Sequence, residues 1–318
     1  MRALLIVNPN ATATTPAGRD LLAHALASRL KLEVAHTTHR GHAAELAHRA
    51  ALEGMSHVVI HGGDGTVNEA INGLLGAPQP GSMQQLPLGR TPTVCVVPGG
   101  SANVFARSLG IRPDPVEATN QLLDLLAARQ MRRIGLGHCD NRWFCFTAGM
   151  GVDAKVVESM EGARKAGHLA TPARYVRTTV RTFLRDARSP ARLTVTVPGS
   201  EPVEGVHYAF VSNTSPWTYL NERPVETNPG TTFEGGLGLF AMRSMGTITS
   251  LLVTRQLLSA SAQPKNKSLL RLDDIPSVRI QSAEPIGFQI DGDYLGTRSD
   301  IEFTSVPDML EVVAPAAN

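Results

Sequence analysis

One short run constrains this chain most: His61-Gly62-Gly63-Asp64-Gly65-Thr66-Val67-Asn68-Glu69. The apolar stretch His57–Ile60 precedes it, and Ala70–Leu75 follows with helical spacing. A buried strand therefore feeds a tight turn that opens a helix. Three glycines strip side chains from the turn, so backbone N–H groups can approach an anion. The helix points its positive end at the same place. Asp64 is the exception, because a phosphate cradle excludes a second negative group unless Mg²⁺ lies between them. The alternative reading of Asp64 is a helix cap.

A chain of 318 residues suggests two domains with ample length for a core. Apolar residues make up 42% and aromatics 5%, as in an ordinary α/β or α+β protein. A net charge of +2 does not by itself imply a nucleic-acid partner. Cys95, Cys139 and Cys145 have no metal-type spacing and read as reduced, buried thiols. The first residues read as a strand rather than a signal peptide, and no apolar run approaches a membrane span. The expected setting is cytoplasmic, with any membrane contact peripheral.

Strands and helices alternate over the first 110 or so residues. Strands are expected at Ala3–Val7, Leu32–His36, His57–Ile60 and Thr93–Val97, with helices near Gly18–Leu30, Ala43–Glu53 and Ser101–Leu109. That order predicts a parallel sheet covered on both faces. A loop rich in Pro, Gly and Gln spans 76–92, and a helix near Pro115–Ala128 closes this half. Short β-type runs then dominate: Trp143–Ala148, Arg192–Val197, His207–Val211, Gly238–Met242, Ser277–Gln281, Ile286–Ile290 and Ile301–Thr304. The expected architecture is α/β, with a nucleotide-binding domain at 1–134 and a mostly antiparallel domain at 135–304. The segment 305–318 is free to return to the first domain.

A second strand-to-helix turn, Pro98-Gly99-Gly100-Ser101-Ala102-Asn103-Val104-Phe105-Ala106-Arg107, follows Thr93–Val97. Two such turns in one parallel sheet open at the edge where ligands bind. Together they resemble the diacylglycerol kinase catalytic fold of bacterial lipid kinases and sphingosine kinases. The likeness runs from Val7-Asn8-Pro9 through Thr37 and Gly41-His42-Ala43 to Gly62–Asn68 and Pro98–Arg107. It continues with Ala148–Ala154, Phe233–Leu239 and Ile290-Asp291-Gly292-Asp293. The Gly-Gly-Asp-Gly-Thr element alone also occurs in NAD kinases and 6-phosphofructokinases.

The resemblance implies that ATP occupies a cleft between the domains. Asn8 and Thr37 would help hold the nucleotide. The backbone of Gly62, Gly63, Asp64, Gly65, Thr66, Val67 and Asn68 would wrap its phosphates. Ser101 stands where the family usually has Thr. Asp291 matches the family's catalytic base, with Asp293 as its acidic companion. Physics agrees, since phosphoryl transfer needs alignment, charge neutralisation and a proton acceptor. Both carboxylates share a side if the strand continues through Gly292, and the alternative for this element is a solvated hairpin turn.

Two departures matter. The family commonly has Asp where this chain has Val104, which shifts the Mg²⁺ burden to Asp64 and Asp293 or to ATP itself. A further metal in some relatives uses an Asp-Gly-Leu element and nearby backbone carbonyls, which map here to Glu234-Gly235-Gly236 with the upstream carbonyl of Thr231; Asp64 is the other expected metal ligand. Gly238 stands where an Asp often follows, which puts the further metal in doubt.

Arg174, Arg177, Arg181, Arg185 and Arg188 fall on one helical face, beside an apolar stripe of Val176, Val180, Phe183 and Leu184. Such a helix suits an anionic membrane surface; a solvated face of a packed helix is the alternative. No aromatic ladder argues for nucleic acid. The apolar segment Ile248–Leu258 lines an acyl-chain pocket or packs on the sheet. The expected activity is phosphorylation of diacylglycerol or a similar neutral lipid, with ATP and Mg²⁺. The alternatives are a kinase of a soluble metabolite such as NAD, and a binding protein without chemistry. A homodimer is allowed but not specified.

Overall fold

The computed structural model describes residues 1–78, 91–151, 191–220, 222–243, 246, 252–253, 255–257 and 266–317. The arginine series 174–188 and most of the 76–92 loop and the 248–258 segment lie outside the described residues. The described chain forms two compact units. Unit 1 holds residues 1–136, 141–143 and 306–318; unit 2 holds 137–140 and 144–305.

In unit 1, β1 (Arg2–Val7), β2 (Lys31–His36), β3 (His57–Gly62) and β4 (Thr93–Pro98) run in parallel in the order β4-β3-β1-β2. All six residues of β3 and of β4 are buried. Each fully buried valine or isoleucine there contributes about 1.5–3 kcal/mol. The crossover helices are α1 (Pro16–Ala27), α2 (His42–Leu52) and α3 (Asp64–Leu75). Right-handed crossovers require α1 on one face, because β2 lies to one side of β1, and α2 and α3 on the other. The packing follows, with α2 against α3 and α1 against α5 (Pro115–Ala127). The start of α1 is set by Thr15, whose side chain accepts from the Gly18 N–H, and by Pro16 in the first turn. Asp114 and Pro115 open α5 in the same way.

One expected helix shortens. The segment beginning at Ser101 turns helical only at Val104, giving α4 (Val104–Ser108). Asn103 has φ +50 and its side chain bonds both the N–H and the carbonyl of Gly100, so 100–103 closes as a loop.

Strands β5 (Met131–Cys139) and β6 (Arg142–Phe144) lead toward unit 2. Its strands are β7 (Thr147–Met150), β8 (Leu193–Thr196), β9 (Val203–Val206), β10 (Tyr208–Ser212), β11 (Thr218–Leu220), β12 (Arg223–Val225), β13 (Leu237–Met242), β14 (Leu269–Ile275), β15 (Ser277–Ile290) and β16 (Asp293–Val313). The order β14-β13-β10-β7-β15-β16 is antiparallel throughout. The expected strand Trp143–Ala148 is split, because Cys145 and Phe146 turn their N–H groups onto Asp291 instead of a ladder. Conversely, the runs 277–281 and 286–290 are one strand with a register shift between Gln281 and Ile286. The last residues of β16 belong to unit 1, where Val312 pairs in parallel with Val94. Among the described residues, no helix is long and apolar enough to cross a membrane.

Candidate active site

In unit 1 the strand order reverses between β1 and β3, since β1 leads away to β2 while β3 leads to β4. Such a switch point leaves a crevice at the carboxyl ends of the strands. The residues there are Asn8, after β1, and the glycine turn, after β3. The Asn8 N–H donates to the His61 carbonyl at 2.9 Å, and its side-chain amide donates to Thr66 Oγ1 at 2.9 Å. Asn8 thereby ties the two strand ends together. Thr37 is held one strand further out, its N–H donating to the Val7 carbonyl at 2.9 Å.

The two glycine turns lie against each other. The Gly99 N–H donates to the Gly62 carbonyl at 2.9 Å, and a Cβ on Gly100 would come within 2.7 Å of the Gly63 Cα. No side chain fits between these backbones. Gly65 is different: a Cβ there would meet nothing within 4 Å, and its φ is not positive. Neither crowding nor backbone strain demands glycine at 65. Open space at the first turn of a helix suits an approaching anion.

Asp64 does not face that space. Its carboxylate accepts from the N–H groups of Val104 and Phe105, each at 3.0 Å. The first turn therefore caps the helix that follows the second. Burial pushes the Asp64 carboxyl above its usual range, opposed by the N–H groups of Phe105, Val104, Asn103 and Asp64 itself. Val104 is buried, and its backbone supplies what the neighbouring carboxylate needs. Ser101 is exposed on the second turn. The Asn68 side chain is also committed to protein: it accepts from Arg142 and donates to the Trp143 carbonyl at 3.0 Å. Val67 is buried as well, so the side chains of 67 and 68 both face protein.

Sequence reasoning missed His61 and Asn103. His61 Nε2 lies 3.1 Å from Thr14 Oγ1 and Nδ1 lies 3.3 Å from the Val97 carbonyl, so the ring pins the 8–15 loop beneath the turns. Burial holds its pKa below the ordinary histidine value, the bond to Val97 opposing. Asn103 was readable in part, since Asn adopts a left-handed backbone more readily than other non-glycine residues.

In unit 2, Asp291 and Gly292 have φ +46 and +80 and sit between the paired residues Ile290 and Asp293. Positive φ at both central positions is the type I′ hairpin requirement. The hairpin breaks the extension that would have put Asp291 and Asp293 on one side. Within the turn Gly292 is exposed, whereas Asp291 is only 5% exposed. Its carboxylate accepts from the N–H groups of Cys145 at 2.6 Å, Phe146 at 3.0 Å and Thr147 at 2.9 Å. Asn213 holds the carbonyl side of this backbone: its N–H donates to Phe146 and its side-chain amide to Cys145. Asp293 begins β16 and is part-exposed.

At Asp64 metal ligation fits poorly. Both Asp64 oxygens are taken by backbone donors. At the other candidate the expected ligands are the Glu234 carboxylate and the Thr231 and Gly236 carbonyls; Glu234 is exposed, the Thr231 hydroxyl donates to Asp273 and the Gly236 N–H donates to Asp274. A Cβ on Gly238 would meet Thr231 Oγ1 at 2.2 Å, so no Asp fits at 238 without repacking. Among the described residues, no three His, Cys, Asp or Glu side chains group as a metal site.

Residues 2–139 match the family described as the diacylglycerol kinase catalytic domain. Diacylglycerol kinase of Bacillus subtilis is 35% identical over 159 residues, 47% of this chain and 46% of the relative. The chain thus spans about half the length of that relative. A solved structure of a diacylglycerol kinase from Bacillus anthracis superposes with a TM-score of 0.71 at 19% identity, covering 99% of this chain and 97% of that one. An NAD kinase from Archaeoglobus fulgidus in complex with ATP gives 0.54 at 12% identity, covering 99% and 94%. Both structural likenesses speak to the fold alone.

Proposed function

We propose that this protein is an ATP-dependent lipid kinase, on the premise that residues 2–139 match the family described as the diacylglycerol kinase catalytic domain. It transfers the γ-phosphate to the hydroxyl of diacylglycerol or a similar neutral lipid, giving a phosphatidic acid-type product. The observation that carries this reading is the glycine turn at the β1/β3 switch point, where a Cβ on Gly65 would meet nothing within 4 Å.

Asp291 is the proton acceptor in this reading. A carboxylate offers about four lone-pair sites, and those of Asp291 accept from the N–H groups of residues 145–147. Those bonds also fix its orientation, as a general base requires. Asp293 is its acidic companion. In this reading Mg²⁺ comes to the site with the nucleotide. We assign the arginine series 174–188 to contact with anionic headgroups; vesicle sedimentation that ignores their replacement by glutamate would remove that assignment.

The test is phosphorylation with γ-labelled ATP of a panel holding diacylglycerol, monoacylglycerol, sphingosine, ceramide and NAD. Label extracted into organic solvent with a glycerolipid supports the reading. Label on NAD alone makes the protein a soluble-metabolite kinase, and no turnover on any acceptor makes it a binding protein.

A further inference from the structure

Beyond the β2 exit, His39 and His42 stack face to face, with ring centroids 4.7 Å apart and planes within 8°. Exposed imidazoles do not ordinarily hold such a geometry unless their edges are tethered, and these are. His42 Nδ1 accepts from the Thr38 N–H at 3.1 Å, and Thr38 Oγ1 lies 3.0 Å from His39 Nδ1. On its far edge His39 Nε2 lies 3.2 Å from Glu45 Oε1. Gly41, at φ +89, makes the sharp return that brings residue 42 back under residue 39. The His39 side chain is still 54% exposed, with His42 covering one of its faces.

Register places this pair. Val7 is level with both His36 and His61, so the exits of β2, β1 and β3 lie in one row. Two strand spacings, about 10 Å, separate the β3 turn from the β2 exit. A nucleotide with phosphates at Gly65 and sugar over Asn8 therefore carries its base to the segment 37–42.

We propose that the His39–His42 stack is the platform on which the donor's purine base lies, with His39 the base-contacting residue. This rests on the nucleotide reading above. A flat ring already backed by a second ring loses little freedom on meeting a third, and base–aromatic stacking tolerates any base.

The test measures binding of ATP and of inorganic tripolyphosphate to the wild type, His39→Ala and His39→Phe by calorimetry. The expected result is an ATP affinity about tenfold lower in His39→Ala, tripolyphosphate affinity within about twofold of wild type, and recovery of ATP binding in His39→Phe. Unchanged ATP binding in His39→Ala overturns the platform and leaves the phosphate cradle standing. Equal loss of both probes overturns it too, making His39 a support of the fold. If the wild type binds neither probe, the nucleotide reading falls with it.

Discussion

The Asp64 carboxylate is bonded to the N–H of Val104, forty positions along the chain, and to that of Phe105. This one side chain fastens the first glycine turn to the helix behind the second. The cradle is therefore a single unit rather than two loops. The carboxylate that first suggested a metal is the fastening.

Asp64→Asn tests that. One oxygen becomes an amide donor facing an N–H group, leaving a buried donor unsatisfied at a cost of about 1–3 kcal/mol. The urea midpoint should fall, and ATP affinity with it. Unchanged stability would return Asp64 to the role of an open metal ligand.

Two glycines should separate folding from binding. Gly100→Ala puts a methyl within 2.7 Å of the Gly63 Cα, so it should destabilise by about 1–3 kcal/mol. Gly65→Ala meets nothing in the protein and should leave thermal unfolding nearly unchanged while weakening nucleotide binding. If both variants lose stability alike, Gly65 is structural.

Asp291→Asn should lower turnover by about 10²–10⁴ if the carboxylate takes the acceptor's proton. It should also weaken the 145–147 backbone, since one of three N–H groups loses its acceptor. Thermal unfolding separates the two effects: a variant folded at assay temperature yet without turnover supports the base. Full turnover in a folded variant excludes it.

His57, His61 and His138 all have pKa values lowered by burial, with Glu302 opposing the shift at His138. Each therefore takes up a proton less readily in the folded protein than in the unfolded chain, whose histidines protonate below about pH 6.5. The unfolded state then binds more protons, so stability is full above that pH and is lost as pH falls. This dependence is strongest at His57 and His61, which are buried. Solvent screening makes it smaller at His138, which is only half-buried. Asp64 acts with the opposite sign in a lower window: its raised pKa favours the fold when protonated, and that contribution fades as pH rises above about 3.9. Urea midpoints between about pH 7.5 and 5.5 should therefore fall, and His61→Asn should flatten the slope. A flat wild-type profile would contradict the burial of these rings.

The order of strands and helices in unit 1 was legible because β3 and β4 are buried on both faces and read as continuous apolar runs. The glycine turns were legible because only backbone fits where they meet. The partners of Asp64 and Asp291 were not, since both carboxylates bond N–H groups, which every residue except proline carries. No side-chain pattern could point to Val104 or Cys145. The same holds for Thr14 beneath His61, a pairing set by the path of a loop.

The most direct measurement of the phosphate cradle follows backbone amide resonances of the isotope-labelled protein as ATP is added. The account predicts that Gly63, Gly65 and Gly100 shift together and saturably, while the Val104 and Phe105 amides keep their protection from exchange through Asp64. Shifts confined to other parts of the chain, with those glycines unmoved at saturation, would contradict it.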